Sequence, residues 1–351
     1  MAADIAEQPA TYARLLEPAH ADAIARVAAV IAERRPRHVV FTARGTSDHA
    51  ALYAAYLIEI RLGLPAGLAS PSAVTLYGAR PDLSGALVVG VSQSGGSPDL
   101  AEVLRVARSS GALTVAVTNA PASPLTEAAE LSVDIAAGHE RAVAATKTYT
   151  AELLALLMLV EGVRAGTGAL PTEERNSLAG LPALAGRVLA DPAPAEVARR
   201  YRSAAQMVTT GRGYAYPTAR EAALKLMETS YLPALAFSGA DLLHGPLALT
   251  DPAVPVLAVV GSGPGGRSMR EVLARLGDRQ ADVLIIGSGA ALAGPAGPAA
   301  DGAGLVVPEV DERYAPLLDI LPLQQLAHAL ALARGADPDR PRGLHKVTST
   351  L

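Results

Sequence analysis

The sequence contains no cysteine, and its 7 histidines are scattered through 351 residues without an HExxH or similar ligand pair. The missing cysteine excludes disulfides, thiolate nucleophiles and cysteine-ligated zinc. Any chemistry therefore has to use oxygen and nitrogen groups, and we expect no metal site.

Basic and aromatic side chains are also in short supply. The chain has 30 basic and 34 acidic residues, a net charge of -4, and only 2 Phe and 10 Tyr. It therefore lacks the broad positive field and the stacking platforms typical of nucleic-acid binders. We expect no nucleic-acid partner.

Long apolar runs are absent as well. Asp4 and Glu7 precede any apolar run, unlike a signal peptide, and the best apolar stretch, from Ala151 to Val160, is short and contains Glu152. We expect no membrane partner and a cytoplasmic location. What the chain does have is a 50% hydrophobic content, enough for a large core and, at this length, for about two domains.

Short β-branched runs alternate with longer stretches of helical period. Runs such as His38 to Thr42, Ala86 to Val91 and Leu113 to Val117 are each followed by a turn and a helical pattern. This order is typical of βαβ units in a parallel sheet that is covered on both faces. The pattern predicts an α/β fold.

The second half of the chain repeats the first. Arg44-Gly45 and Arg212-Gly213 follow equivalent strands, and so do Ser94-Gly95 and Ser262-Gly263, with both pairs 168 positions apart. We infer two tandem α/β domains, each a three-layer αβα, flavodoxin-like sheet. The expected division is a helical segment (1–35), a first domain (36–165), a connector (166–199) with a helix from Glu173 to Leu189, a second domain (200–335) and a tail (336–351).

A serine-rich turn joins a buried strand to a helix that begins near Pro98 or Asp99. At such a junction, free N–H groups and the positive end of the helix dipole point out of the sheet. Ser92, Gln93, Ser94 and Ser97 add neutral donors. With no Walker lysine after the glycines, the segment favours a phosphate monoester over a nucleotide. The alternative is an ordinary serine-rich N-cap turn.

A second polar turn, Ala43-Arg-Gly-Thr-Ser-Asp48, follows the first strand. Open α/β sheets bind ligands at the carboxyl ends of their strands, so Thr46 and Ser47 would face the same crevice. Arg44 contacts the ligand or forms an ion pair with Asp48 or another acid. Lys147, which opens another helix, holds an anion or caps a neighbouring carbonyl.

The segment Gly261-Ser-Gly-Pro-Gly-Gly266 satisfies GxGxxG but does not favour a dinucleotide. A dinucleotide site also needs an acid at the end of the next strand, whereas Asp282 starts that strand and Ile286-Gly-Ser288 ends it.

Three further groups are candidates for chemistry. Glu221, Lys225 and Glu228 are spaced by four and three, so they share one helical face, although most such stripes are solvated ion pairs. His244, in an apolar loop before Gly-Pro, is either a functional group or a satisfied structural histidine. Lys346 would by itself be a solvated tail charge.

Taken together, these segments resemble the sugar isomerase (SIS) superfamily, specifically the double-SIS isomerase half of glutamine:fructose-6-phosphate aminotransferases. The likeness runs from Ile5-Ala-Glu-Gln-Pro9 through SQSG, VAATK, ALKLMETSY and HGPLAL to Pro341-Arg-Gly-Leu-His-Lys346. No glutaminase domain or N-terminal cysteine is expected. The closer likeness is to stand-alone double-SIS enzymes that act as glucosamine-6-phosphate deaminases.

The resemblance implies roles for particular residues. The proton-transferring carboxylate corresponds to Glu228, with Lys225 beside it, and the ring-opening histidine, lent by a neighbouring subunit of a homodimer, to His244. Lys346 would engage the sugar carbonyl, making residues 336–351 a catalytic tail. The sugar phosphate would be bound by the strand-end turns, and the sugar by a following run; the implied substrate-binding set is Arg44, Gly45, Thr46, Ser47, Ser92, Gln93, Ser94, Ser97, Val143, Ala144 and Ala145.

Several positions depart from the aminotransferase pattern. Arg44 replaces a Cys, Ala145 a Ser, Asp241 a Glu and Leu243 a Lys. The residues implied in the proton transfer are kept, whereas the departures leave open the stereochemistry of the sugar and its C2 substituent.

The implied activity is a deamination coupled to isomerisation of glucosamine 6-phosphate, giving fructose 6-phosphate and ammonia without any cofactor. The alternatives are a galactosamine-phosphate deaminase/isomerase, a fructosamine-phosphate deglycase and a non-catalytic phosphosugar-binding regulator. The regulator is disfavoured because the acid, the histidine and the lysine are all present and no DNA-binding appendage is visible.

Overall fold

The computed structural model describes residues 1–292 and 304–346 of the chain. These residues form two compact units, each built around one sheet. The first-sheet unit comprises residues 7–140, 145–182 and 345–346 of the described chain. The second-sheet unit comprises residues 1–6, 141–144 and the described part of 183–344.

The two sheets have five strands each. The strands are β1 (His38–Thr42), β2 (Ala66–Leu68), β3 (Ala86–Ser92), β4 (Leu113–Thr118), β5 (Leu131–Asp134), β6 (Met207–Gly211), β7 (Ala234–Ser238), β8 (Val256–Val260), β9 (Val283–Gly287) and β10 (Gly304–Val306).

Helices occur throughout the described residues, before, between and after the strands. They are α1 (Ala2–Ala6), α2 (Gln8–Leu15), α3 (Pro18–Arg34), α4 (Thr46–Leu57), a π-helix (Ile58–Leu62), α5 (Pro71–Thr75), α6 (Pro98–Ser109), α7 (Pro124–Ala128), α8 (Lys147–Ala165), α9 (Thr172–Ala179), α10 (Leu181–Leu189), α11 (Ala193–Arg200), α12 (Ala215–Ser230), α13 (Gly239–Leu243), a 3-10 helix (Pro246–Leu249), α14 (Pro264–Asp278), α15 (Gly289–Leu292) and α16 (Pro316–Ala333).

Both sheets are parallel and share one topology. The first has the order β2-β1-β3-β4-β5 and the second the order β10-β9-β8-β6-β7, which is the same 2-1-3-4-5 arrangement when its strands are numbered from β6. This is the flavodoxin-like order, whose switch point lies between the first and third strands. The predicted α/β fold with two repeated three-layer domains is confirmed.

The cores explain why these runs form strands. Every residue of β3, β4, β6 and β8 is buried, as expected for parallel strands with helices on both faces. In the first-sheet unit, Val88 packs in a cluster with Leu100, Leu104 and Leu125. The second-sheet unit has an equivalent cluster around Val256, Met269, Leu273 and Leu276.

The connector differs from its prediction. The single helix predicted from Glu173 to Leu189 is wrong, because the chain forms two helices, α9 and α10, separated at Gly180. Pro182, in the first turn of α10, has no N–H to continue the preceding helix. A third helix, α11, then leads to β6.

Within residues 1–292 and 304–346, no helix combines the length and the apolar character needed to cross a membrane.

Candidate functional site

The serine-rich turn between β3 and α6 is folded by its own hydroxyl groups. Ser92 Oγ accepts a hydrogen bond from the Gly95 N–H, and Ser94 Oγ accepts one from the Gly96 N–H, each at 3.2 Å. Gly95 adopts φ 60°, in the left-handed region that favours glycine. The predicted loop is thus a compact turn at the carboxyl end of a central strand.

Neighbouring loops hold this turn in place. The Asn119 N–H donates to the Gln93 carbonyl at 3.3 Å, and the Leu125 N–H donates to the Gly95 carbonyl at 3.1 Å. Gly95 also packs so closely that a Cβ added there would lie 2.2 Å from Ser123 Oγ. Only glycine fits, so the loop conformation is set before any ligand arrives.

The start of α6 is not capped by serine. Ser97 occupies the N-cap position, but its hydroxyl makes no cap hydrogen bond, and the Leu100 N–H instead donates to Asp99 Oδ1 at 2.9 Å. The segment is thus a serine-rich turn with Ser97 at the N-cap position but without a serine cap hydrogen bond, and phosphate binding there stays a prediction. Gln93, Ser94 and Ser97 are half-buried at the helix N-terminus, where neutral donors and the helix dipole suit an anion.

Arg44 forms an ion pair at the same end of the sheet. Its guanidinium contacts Asp99 Oδ2 through Nε at 3.0 Å and through NH2 at 2.9 Å. The ion-pair alternative is therefore confirmed, with Asp99 rather than Asp48 as the acid. The pair offsets the negative charge that Asp99 would otherwise present to a phosphate.

The polar residues of the turn before α4 differ in how far they are buried. Gly45, at φ 55°, is the N-cap of α4, and Thr46 is half-buried in the first turn. Ser47 is buried and donates to Glu152 Oε1 at 2.8 Å, within the packing of α4 against α8. Its hydroxyl proton is therefore committed to Glu152 rather than offered to a ligand.

Lys147 is buried at the start of α8 and serves the protein itself. Its Nζ donates to the His139 carbonyl at 2.7 Å and pairs with the Glu7 carboxylate. The carbonyl-capping alternative is confirmed, and the anion that Lys147 contacts is a side chain of the same unit.

The predicted face of α12 is a buried ion triad. Lys225 Nζ lies 2.6 Å from Glu228 Oε2 and 3.3 Å from Glu221 Oε1. Glu221 and Lys225 are fully buried, whereas the Glu228 side chain is 22% exposed. The interpretation of this stripe as solvated ion pairs is therefore wrong.

Electrostatics fix the charge of the central lysine. Burial lowers the pKa of Lys225, but the carboxylates of Glu221 and Glu228 outweigh this effect, and the net pKa lies above its ordinary value. Lys225 is therefore a permanent ammonium group that orients Glu228. Of the three side chains, only that of Glu228 reaches solvent.

His244 lies in the exposed turn after α13. Its backbone N–H donates to the Asp241 carbonyl at 3.1 Å, and Gly245 follows with φ 134°. Within the part of the chain that the structure describes, the imidazole has no hydrogen-bond partner and is exposed. The alternative of a satisfied structural histidine is therefore wrong.

The tail lysine meets an acid that the sequence analysis missed. Lys346 Nζ lies 3.3 Å from Glu140 Oε2, and the Glu140 residue is only 3% exposed. No local pattern pointed to Glu140, because its partner is 206 positions away in the chain. The description of Lys346 as a solvated tail charge is wrong, and residues 347–351 of the predicted catalytic tail lie outside the described residues.

The run Val143, Ala144 and Ala145 precedes α8. Ala144 is buried and its two neighbours are half-buried. These small apolar side chains offer only their backbone for polar contact. Over residues 1–292 and 304–346, no three His, Asp or Glu side chains converge as metal ligands.

The glycine-rich loop of the second-sheet unit holds a carboxylate from its own unit. Glu312 Oε1 accepts a hydrogen bond from the Gly266 N–H at 3.0 Å. A Cβ added at Gly261, Gly263 or Gly265 would lie 2.8, 2.2 or 2.7 Å from a Glu312 oxygen. The glycines of this GxGxxG pattern thus leave room for the carboxylate of Glu312, which lies where a side chain on the loop would otherwise be.

Comparison with known proteins places this geometry in a family. The SIS domain model matches residues 34–162 and 200–320. A glutamine–fructose-6-phosphate aminotransferase (isomerizing) from Gloeobacter violaceus is 37% identical over 315 residues, covering 88% of this chain and 51% of that protein. The chain thus spans about half the length of the curated relatives it matches.

Solved structures match this chain over nearly its whole length. A protein provisionally assigned as a phosphosugar isomerase from Silicibacter pomeroyi is 35% identical, with a TM-score of 0.85, covering 97% of this chain and 99% of that one. The C-terminal domain of a glucosamine-fructose-6-phosphate aminotransferase from Francisella tularensis is 26% identical, with a TM-score of 0.83, covering 96% and 97%. A glucosamine-6-phosphate deaminase from Thermotoga maritima, 19% identical with a TM-score of 0.74 and coverage of 97% and 100%, shares the fold.

Two matched segments, two sheets of the same topology and a serine-rich strand-end turn lead to one conclusion: this chain belongs to the SIS domain family and carries two SIS repeats, in common with phosphosugar isomerases.

Proposed function

We propose that the chain is an amino-sugar phosphate deaminase/isomerase that converts glucosamine 6-phosphate into fructose 6-phosphate and ammonia. The names of its relatives, which include isomerizing aminotransferases and a phosphosugar isomerase, support sugar phosphate as the substrate class.

The observation that carries the proposal is the arrangement of Glu228. A carboxylate that moves a proton between adjacent carbons has to be accessible and fixed in direction. Glu228 is partly exposed and is held by Lys225 Nζ at 2.6 Å, and Lys225 is itself fixed by buried Glu221. General-base catalysis by such a group contributes a factor of roughly 10² to 10⁴ in rate.

The turn at residues 92–97 would bind the phosphate. Its Gly95-dependent conformation presents Gln93, Ser94 and Ser97 at the N-terminus of α6, and Thr46 would add a hydroxyl from the neighbouring strand end. These neutral donors suit a phosphate monoester, and the Arg44–Asp99 pair keeps the local charge balanced.

The reaction balances without a cofactor. After ring opening, Glu228 takes the proton from C2 and returns it to C1, while O1 gains a proton from solvent and the nitrogen loses one to solvent. The C1 aldehyde and C2 amine thereby become a C1 alcohol and a C2 imine. Lys346 polarises the carbonyl oxygen during this transfer. Water then adds to the imine carbon, and ammonia leaves to give the ketose.

Ring opening is assigned to His244, acting across the interface of a homodimer. The imidazole of His244 is exposed and has no hydrogen-bond partner within the described part of the chain. This supports the role, because a side chain that acts in the site of a neighbouring subunit has to be accessible on the surface of its own chain. Exposed Leu235 on edge strand β7 and exposed Leu249 shortly after His244 support an interface in this part of the unit.

Mixing two inactive variants tests the shared site. In a dimer formed from one Glu228→Gln chain and one His244→Ala chain, one of the two sites regains both groups. Random exchange of subunits should therefore restore about a quarter of wild-type activity. Recovery of no activity, with heterodimers verified by mass spectrometry, would place His244 in the same chain as its Glu228 or remove it from the reaction.

The substrate is tested by a ¹H NMR time course with ammonia detection on glucosamine 6-phosphate, galactosamine 6-phosphate and a 6-phosphorylated fructosamine. We expect ammonia and fructose 6-phosphate from the first sugar. Turnover of the galactosamine ester or release of an amino acid from the fructosamine would reassign the substrate. Binding without turnover of any of them would favour a regulator and contradict the proposed activity.

A further inference from the structure

The carboxylate of Glu140 accepts several hydrogen bonds at the start of α8. Its Oε1 accepts hydrogen bonds from the Thr146 N–H at 2.7 Å and the Thr148 N–H at 3.3 Å. The hydroxyls of the same two threonines donate to Oε1 at 3.2 Å and to Oε2 at 2.5 Å. Four donors on an acceptor-only group hold it in one orientation.

This fixed carboxylate also receives the tail. Lys346 Nζ lies 3.3 Å from Glu140 Oε2, with the Lys346 side chain 29% exposed and that of Glu140 fully buried. A lysine side chain has many rotamers, and confining it costs conformational entropy. A buried anion that is already immobilised supplies a defined position for the ammonium group, which a solvated partner would not do.

We propose that Glu140 is the positioning residue for Lys346. Its carboxylate anchors the tail on the first-sheet unit and presents the lysine nitrogen, with one side still exposed, to the carbonyl of the sugar. The inference rests on the proposed function for the role of Lys346, whereas the anchoring itself depends only on the contacts of residues 140, 146, 148 and 346.

The decisive experiment compares Glu140→Gln, Lys346→Met and the double variant. Glutamine keeps the size of the side chain but removes its charge and turns an NH₂ group toward existing donors. We expect Glu140→Gln to lower kcat by about 10- to 100-fold while KM changes by less than about 3-fold, because the phosphate turn is untouched. In the Lys346→Met background, Glu140→Gln should cause no further loss of kcat.

A matched control separates anchoring from the local stability of α8. Thr150→Val removes a buried hydroxyl that donates to Gln8 Oε1 at 2.9 Å and leaves every contact of Glu140 in place. It should lower the melting temperature, as Glu140→Gln does, with kcat close to wild type. If Thr150→Val and Glu140→Gln lower kcat equally, or if the losses from Glu140→Gln and Lys346→Met are additive, the proposal is overturned.

Hydrogen exchange tests the anchoring independently of turnover. Peptides ending at residue 346 should exchange about 10-fold faster in both Glu140→Gln and Lys346→Met than in the wild type, while α8 stays protected in Lys346→Met. Unchanged exchange of this segment in folded Glu140→Gln would overturn the proposal. Failure of every sugar to turn over would instead contradict the proposed function and leave this readout intact.

Discussion

Lys225 is fully buried between two carboxylates on α12, and the described geometry makes Glu228 depend on it. The spacing of four and three predicted that these side chains share a face. The sequence could not show that this face is buried, because α12 is covered by α16, which lies about one hundred residues further along the chain. Periodicity finds the stripe, whereas tertiary packing decides whether it is solvated.

Removing the lysine should therefore cost stability as well as activity. Lys225→Met leaves Glu221 buried without its counter-charge, and we expect a loss of about 3–5 kcal/mol in the free energy of unfolding. Adding Glu221→Met should recover much of that loss without restoring turnover, since Glu228 still lacks its hydrogen bond. Urea denaturation and initial rates measure the two effects, and a Lys225→Met protein of wild-type stability would contradict the buried triad.

Asp319, in the first turn of α16, carries an energetic cost. It is buried, its Oδ2 has no hydrogen-bond partner within the described part of the chain, and it lies in the field of Glu312. Burial first, and then the negative charge of Glu312, raise the pKa of Asp319 well above its usual range. The folded state therefore holds this proton more tightly than the unfolded state.

The sign of the pH dependence follows from that difference. The contribution of Asp319 to stability is present below its unfolded pKa of about 3.9 and is lost as pH rises through the folded pKa. We expect Asp319→Asn to be about 1–3 kcal/mol more stable than wild type at pH 8, with the difference shrinking toward pH 4. Thermal unfolding across this range measures it; a destabilised variant at pH 8 would show that the carboxylate is needed.

At the scale of loops and helices, the two strand-end turns show how far local sequence patterns reach. The serine-rich turn and the start of α6 at Pro98 follow from the local sequence, because strand, glycine and proline signals are adjacent. The group that fills the glycine-rich turn of the second-sheet unit does not follow from the local sequence. Glu312 enters the loop of Gly261 to Gly266 from 46 positions beyond Gly266. The sequence could therefore argue against a dinucleotide at this loop, but it could not show that a carboxylate of the chain itself lies there.

The conformation of the first turn is testable at Gly95. Its φ of 60° and the 2.2 Å approach to Ser123 Oγ forbid a side chain. Gly95→Ala should raise the KM for the phosphosugar by at least about 10-fold, because every donor of the turn shifts.

Gly111→Ala is the matched control for this variant. Gly111 also has a positive φ, 82°, but an added Cβ there meets nothing within 4 Å. It should cost only about 1–2 kcal/mol of backbone strain and leave KM unchanged. Equal KM values for the two variants would contradict a phosphate site at the Gly95 turn.

Across the whole molecule, the duplicated topology was readable from equal spacing of strand-end pairs, because each repeat keeps the same order of strand, turn and helix. The different side chains that the two repeats place at their strand ends could not be predicted in this way. One repeat has an open serine-rich turn with a buried carboxylate that receives Lys346, and the other has a turn closed by Glu312 and a helix that exposes Glu228. These differences depend on contacts between distant segments, which local patterns do not encode.

The central claim is that Glu228 moves a proton on a bound phosphosugar, and loss of deuterium from [2-²H]glucosamine 6-phosphate tests it most directly. The wild type should remove the deuterium from C2 and pass it to C1 or to water. We expect Glu228→Gln to slow this loss by about 10²- to 10⁴-fold with a phosphosugar Kd within about 3-fold of wild type. Loss of deuterium from C2 at the wild-type rate in Glu228→Gln would contradict the claim.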